Sequence, residues 1–270
     1  MKTFIKNFIP FSVGVKLRGG WQKLLKAYYS GEKYFCPFCN NSFRKLLPGG
    51  FDFPVIKEKQ IIGAGYRKNN VCPRCYSTDR DRLVYYFLNK KTDAFTRNIK
   101  LLHIAPEGCL KSLLLKKTNI TYFQGDKFTE GYHNYYYDRK VTYVDIKKIP
   151  YPDNEFDALI CNHVLEHIKE HHQAIKELYR VLKPGGWAIL QVPISKNSEK
   201  TFEVDTTSPA EREKLFGQFD HVRIYGQDYP KILENFGFKV TAYNPKQEGE
   251  DEKIAQFAIN PLENIYMAIK

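Results

Sequence analysis

From residue 99 to residue 194, short apolar runs alternate with amphipathic stretches, and that alternation limits the possible fold more than any other feature of the chain. The runs are "IKLLHIA" (99–105), "ITYFQGD" (120–126), "VTYVDI" (141–146), "FDALICNHV" (156–164) and "WAILQVPI" (187–194). They are apolar in succession rather than at every second residue, as in strands covered on both faces. The clearest intervening helix is "HHQAIKELYRVLK" (171–183), where Ala174, Ile175, Leu178, Val181 and Leu182 recur at helical spacing and Pro184-Gly185-Gly186 ends the run. The expected fold class is α/β, with a mostly parallel sheet between two helical layers.

Ligands of such sheets sit at the carboxyl ends of the strands, and polar residues gather there. Asp126 closes the second run, Asp145 with Ile146 the third, and Asn162 with His163 the fourth. An acid in the position of Asp126 can bond both hydroxyls of a ribose. The first run leads into "APEGCL", where cofactor-binding folds place a glycine-rich loop. Here Gly108 is the only glycine, with Pro106 and Glu107 before it.

The stretch "DIKKIPYPDNEFDALICNHVLEHIKEHHQAIKELYRVLKPGGWAILQVP" resembles the middle of a class I S-adenosylmethionine-dependent methyltransferase of the type 11 group. The resemblance is close over some 50 residues and loose over about 170. It implies a Rossmann-like fold with a mostly parallel seven-stranded sheet and S-adenosylmethionine as cofactor. It further implies that Asp126 holds the ribose, that Asp145 and Ile146 contact the adenine, and that Asn162 lies beside the cofactor. The family's acid-x-Gly-x-Gly-x-Gly loop is altered. His103 stands where the acid belongs, Ala105 at the first glycine and Glu107 at the second. Glu107, or else His103, is expected to take over the contact to the methionine ammonium, with Gly108 beside it.

Residues 1–97 form a different unit. "CPFC" (36–39) and "CPRC" (72–75) are paired knuckles, and Cys36, Cys39, Cys72 and Cys75 can supply the four thiolates that zinc prefers. With all four positions filled, such an ion is structural. A second, looser resemblance is to methyltransferases that carry paired Cys-Pro-x-Cys knuckles. Disulfides are the competing reading, and the cytoplasmic location inferred below disfavours them. Cys109 and Cys161 stand singly among apolar residues and read as core. After the second knuckle, "STDRDRLVYYFLNKK" reads as a helix capped by Ser77 or Thr78, with Leu83, Phe87 and Leu88 inward. Arg80 and Arg82 either meet an anionic substrate or pair with Asp79 and Asp81. The first 97 residues hold 19 Lys/Arg against 6 Asp/Glu, whereas residues 98–270 are nearly neutral, so the net charge of +12 belongs to the front of the chain. A basic face of that kind fits RNA or another acidic partner, and equally a lysine-rich solvated surface.

After the fifth run, Ser208-Pro209 with Glu211 opens a helix, and "FGQFDHVRIYG" forms a loop before a further helix and strand. By the resemblance this insertion covers the active site. His221, Arg223 and Tyr225 are the candidates facing substrate, opposite His163 and Glu166, with His163, Glu166 and His221 as the candidate catalytic groups. The aromatic run "YHNYYYDRK" (132–140) is expected to pack on the sheet. The Asn/Asp-Pro-Pro-Tyr/Phe motif of exocyclic-amine DNA methyltransferases does not follow the fourth run. No apolar run approaches the ~20 residues of a membrane span and no signal peptide is evident, so a cytoplasmic location is expected. The leading expectation is methyl transfer to an oxygen or nitrogen of a small-molecule or saccharide acceptor. RNA methylation with the basic module as docking surface, and a non-catalytic binding module, remain open beside it.

Overall fold

The computed structural model describes residues 11–127, 141–206 and 208–270, so the aromatic run 132–140 lies outside the described residues. Its centre is a seven-stranded sheet: β1 (Ile99–Ile104), β2 (Ile120–Asp126), β3 (Thr142–Tyr143), β4 (Phe156–Asn162), β5 (Leu182–Gln191), β6 (Lys239–Tyr243) and β7 (Ile265–Ile269). The order across the sheet is β6-β7-β5-β4-β1-β2-β3. Neighbours from β5 to β3 are parallel, and β7 runs antiparallel to both β5 and β6. The Rossmann-like, mostly parallel expectation agrees with this arrangement.

The continuous apolar runs have a direct structural cause. Leu102, Ile104, Leu159, Cys161, Ala188 and Leu190 enter one core, while Leu101, Ala158, Ile160, Trp187 and Ile189 enter another on the opposite face. Successive side chains therefore need to be apolar, because neither face meets water. Helix α1 (Asp79–Lys91) buries Leu83, Val84, Phe87 and Leu88 in the second core, and α2 (Gly108–Leu114) adds Leu110 and Leu114. Helix α3 (His171–Val181) packs Ala174, Ile175, Leu178 and Val181 into the first. The cap of α1 is Thr78, whose side chain accepts from the Asp81 amide while Asp81 accepts from the Thr78 amide. Although it precedes residue 97, α1 shares the sheet's core.

Two boundaries differ from the sequence reading. The third run shortens to Thr142–Tyr143, because Asp145 turns the chain by accepting the Lys147 amide (3.0 Å). The chain leaves α3 at Val181, and Leu182 already pairs with Phe156, the register then shifting across Pro184-Gly185-Gly186 before Trp187 meets Ala158.

The front module is joined to this sheet at several places. Ser30–Cys36 pairs with Asn41–Phe43, and Leu47–Gly49 with Arg67–Val71. Ile61–Ile62 pairs with Ile194–Ser195, just beyond β5. The short helix Pro54–Glu58 packs Val55 and Ile56 against Phe216 of the helix Pro209–Phe216, whose cap is Ser208 accepting from Glu211 as expected. The residues between the two knuckles and the insertion after β5 thus meet above the carboxyl end of β4. Among the described residues no helix is long and apolar enough to cross a membrane.

Candidate active site

At the end of β1, His103 is fully buried, with Nδ1 2.9 Å from the Tyr122 hydroxyl and Nε2 2.7 Å from Glu107 Oε2. The other oxygen of Glu107 accepts from Asn162 Nδ2 at 2.9 Å. Burial pushes the Glu107 carboxyl up, but His103 and Asn162 outweigh it and hold it below the ordinary value. Glu107 is thus an oriented anion at the junction of β1, β4 and α2, suited to an ammonium group. His103 positions it rather than facing a ligand itself. Ala105, next to this junction, has φ 49°, a left-handed conformation that a non-glycine residue adopts at a cost of ~1–3 kcal/mol. A Cβ on Gly108 would meet nothing within 4 Å, so the start of α2 borders open space.

The remaining cofactor candidates sit where the strand order puts them. Asp126 ends β2 half-exposed, and its carbonyl accepts the Val144 amide at 2.9 Å. A Cβ on the preceding Gly125 would meet Val144 Cγ2 at 2.7 Å, so only glycine lets the two segments approach this closely. Asp145 pairs with Lys127 at 2.9 Å. The side chain of Ile146 is buried in the first core with Val144 and Ile149.

One residue beyond Asn162 the chain enters a second constellation. His163 also has a left-handed backbone, φ 54°, and places Nδ1 3.1 Å from Glu166 Oε1. Glu166, 1% exposed, lies on the short 3-10 turn Leu165–His167. His167 Nε2 is 4.0 Å from the same carboxylate oxygen, while its Nδ1 is 3.2 Å from Asp220. The Val222 amide donates to the Glu166 carbonyl at 2.9 Å, which brings His221 beside His167, ring centroids 4.7 Å apart. Burial pushes Glu166 up, but His163, His167 and His221 hold it down at about 2. Burial, with Arg80 nearby, lowers His163, and burial pushes His221 down to about 4. His167 is raised, because Asp220 and Glu166 outweigh its burial.

These groups line a cavity of about 350 Å³ roofed by the front module through Gly50, Phe51, Gly63 and Ala64. Gly63 has φ 90°, and a Cβ there would sit 3.4 Å from His163 Cε1. Arg80 reaches the cavity and bonds the Gly63 carbonyl, so the roof is tied down from α1. A wider cleft of about 420 Å³ near Lys196 and Lys246 holds no histidine or cysteine, and the reactive groups are concentrated in the smaller one.

Three expectations are corrected. Arg223 is 2% exposed and spends four of its five guanidinium N–H groups on the carbonyls of Leu165 (2.6 Å), Ile168 (2.5 Å) and Lys169 (2.9 Å) and on Glu203, so it clamps the turn that carries Glu166 and is buried away from substrate. Tyr225 is fully buried, its hydroxyl 2.8 Å from His171 Nδ1. Of the arginine pair, Arg82 is wholly buried on the carbonyls of Ser77 (2.8 Å), Asn70 (2.7 Å) and Phe257, and only Arg80 faces the cavity. Sequence reasoning missed His167, Asp220 and the glycine-lined roof. The adjacent pairs Glu166-His167 and Asp220-His221 were the available signal.

The four knuckle sulfurs lie within 4.8 Å of one another, with Cys36–Cys75 at 3.5 Å and Cys39–Cys72 at 3.7 Å. Metal–sulfur bonds of about 2.3 Å in a tetrahedron place sulfurs about 3.8 Å apart, so the donor set fits a tetrahedral thiophilic ion. Ser77 Oγ stands 3.2 Å from Cys36 Sγ and can support a thiolate. Cys161 is core, but Cys109 is not: its thiol donates to the Cys75 carbonyl at 3.1 Å and ties α2 to the second knuckle.

Residues 121–190 match a methyltransferase-domain family model. The matched stretch runs from β2 to β5 and includes Asp126, Asp145, Asn162 and Glu166. A demethylmenaquinone methyltransferase of Listeria monocytogenes is 33% identical over 84 residues, 31% of this chain and 33% of the relative. A ubiquinone/menaquinone biosynthesis C-methyltransferase of Chromobacterium violaceum is 46% identical over 46 residues, 17% of this chain and 19% of the relative. The chain spans a third or less of the length of these curated relatives. A solved S-adenosylmethionine-dependent methyltransferase from Archaeoglobus fulgidus shares 15% identity, with a TM-score of 0.47 over 73% of this chain and 96% of that one.

Proposed function

We propose that the protein is an S-adenosylmethionine-dependent methyltransferase acting on an oxygen or nitrogen of a small molecule, with a saccharide hydroxyl as one candidate acceptor. The observation that carries the acceptor reading is the His163–Glu166 pair. Glu166 Oε1 lies near His163 Nδ1 and favours the proton there, which leaves Nε2 as the basic nitrogen. Nε2 is buried beside the cavity and has no hydrogen-bond partner among the described residues. The lowered proton affinity of His163 keeps it neutral near pH 7, as a base must be. When bound, S-adenosylmethionine supplies a methyl group on an activated sulfonium. His163 would take the acceptor's proton while Glu107 holds the ammonium and Asp126 the ribose. Asp145 would serve the adenine, with Ile146 contributing through its backbone. A cavity of about 350 Å³ holds one small ring system, which favours a small acceptor over RNA. The matched relatives are named for C-methylation of quinones, so a carbon acceptor is a competing outcome of the assay.

In this reading Cys36, Cys39, Cys72 and Cys75 hold a structural zinc ion, which fixes the module that roofs the cavity. Titration with S-adenosylhomocysteine tests the cofactor assignment. A dissociation constant in the micromolar range or tighter is expected, weakened at least ~10-fold in Glu107→Gln by loss of a charge-assisted contact. Absence of saturable binding would overturn it. Transfer of labelled methyl to a panel of hydroxylated, aminated and quinol acceptors tests the base. His163→Gln should lower turnover by ~10²-fold or more with S-adenosylhomocysteine affinity unchanged, and full turnover in that variant rejects the role of His163.

A further inference from the structure

We infer that Glu166, His167 and His221 form a second metal site, distinct from the cysteine cluster, which takes a divalent transition ion at the wall of the acceptor cavity. The starting point is an imbalance. Glu166 is 1% exposed, His163 Nδ1 lies 3.1 Å from its Oε1, and neither carboxylate oxygen has a well-aligned hydrogen bond among the described residues. A buried carboxylate without full compensation costs several kcal/mol, and a cation is the usual remedy. The neighbouring donors are the right kind. One carboxylate oxygen of Glu166, one ring nitrogen of His167 and one of His221 lie within 4.8 Å of one another. Two imidazoles and a carboxylate make a three-ligand set typical of ions that keep open positions.

The orientation of His167 supports the same conclusion independently. Its Nδ1 lies 3.2 Å from Asp220 Oδ2, so the carboxylate holds the proton on Nδ1 and presents Nε2 toward Glu166. A carboxylate behind a histidine is the outer-sphere arrangement that fixes a ligand's tautomer and raises its basicity. Both second-sphere contacts fall outside the triad: Asp220 stands behind His167, and His163 Nδ1 stands 3.1 Å from Glu166. The charged groups facing the triad from other elements include Arg80 of α1, and Arg80 is already drawn toward Glu263 (3.5 Å) and the Gly63 carbonyl. The 4.0 Å between Glu166 Oε1 and His167 Nε2 exceeds the about 3.3 Å expected around a tetrahedral ion with bonds of about 2.0–2.1 Å. A small rotation of either side chain closes that gap.

The open positions of such an ion face the cavity, since Glu166, His167 and His221 all line it. The ligand class that fits is an oxygen donor, and a bound hydroxyl would be acidified within reach of His163 Nε2. This last step rests on the methyltransferase reading; binding of the ion itself does not.

The test is titration of protein carrying one zinc per chain with Co2+, followed by calorimetry and visible absorption. One further equivalent is expected, with d–d bands but no thiolate-to-cobalt charge transfer. His221→Ala and His167→Ala should each weaken binding by at least ~10²-fold, and Asp220→Asn by ~10- to 100-fold, with melting curves showing that each variant is folded. No saturable binding to the wild-type protein overturns the site, as does undiminished affinity in a folded His221→Ala/His167→Ala double variant. A second equivalent that shows thiolate charge transfer places the ion on cysteine and overturns it too. Since the readout needs neither cofactor nor acceptor, loss of methyl transfer with intact Co2+ binding would refute the proposed function and leave the site standing.

Discussion

Replacing Arg223 by methionine separates a clamp from a substrate contact. Arg223 Nη1 serves the carbonyls of Leu165 and Ile168, and Nη2 that of Lys169. Methionine fills much of the same volume and donates to none of them. Each buried acceptor left without a donor costs ~1–3 kcal/mol. The bond to Leu165 is fully buried and the other two only partly, so water can recover part of the loss there. Glu203, the ion-pair partner, is close to half exposed, and that pair adds little. The expected destabilisation is therefore ~3–5 kcal/mol, or a fall in melting temperature of roughly 8–15 °C for a chain of this size. Arg223→Lys keeps the charge but cannot fork across three carbonyls, and should fall between wild type and methionine. The assay is thermal and urea unfolding, with S-adenosylhomocysteine affinity measured alongside. A methionine variant that melts within ~2 °C of wild type but raises the acceptor KM steeply would refute the clamp and restore Arg223 to the substrate.

His171 predicts an acid-labile fold: burial and the Arg223 guanidinium push it down to about 3, against an ordinary value near 6.5. Its contribution is fully present above pH 6.5 and is lost as pH falls toward 3, at ~1.4 kcal/mol per pH unit; urea unfolding at stepped pH should show this slope flattened in His171→Gln. Stripping the proposed zinc ion with a strong chelator should weaken S-adenosylhomocysteine binding as well as stability, because α2, which follows Glu107, is tied to the second knuckle through Cys109 and the Cys75 carbonyl; unchanged affinity in metal-free, folded protein would break that link. Gly63→Ala should cost more than ~1 kcal/mol for its positive φ and lower turnover as well, since the new methyl would stand 3.4 Å from His163 Cε1; unchanged turnover in the folded variant would argue against the roof as part of the acceptor site.

How far the sequence could be read depended on how local the deciding interactions were. The parallel strands were legible because burial on both faces forces consecutive apolar residues, as Leu101 and Leu102 show by entering opposite cores. The positions of Asp126 and Asn162 at the ends of their strands were legible because each closes an apolar run. The knuckles were legible from spacing alone. The loop "FGQFDHVRIYG" was not, since His221 and Arg223 look alike in sequence and only the fold separates them. His221 lies at the cavity, while Arg223 finds carbonyls more than fifty residues earlier in the chain, on the turn carrying Glu166. The residues between the knuckles posed the same problem. Nothing in "IIGAG" announces a roof; Gly63 acquires that role because Ile61–Ile62 pairs with Ile194–Ser195, and that pairing suspends the loop over His163. The loop after β1, proposed above to meet the cofactor, reads in the same terms. His103 stands at the position of the family's acid but does not replace it. It sits buried behind Glu107, and in the proposed reading the negative charge stands four residues along the chain, on a carboxylate gripped from two strands. Substituting His103 should therefore weaken cofactor binding only through Glu107, and a Glu107→Gln background should make the His103 change nearly silent.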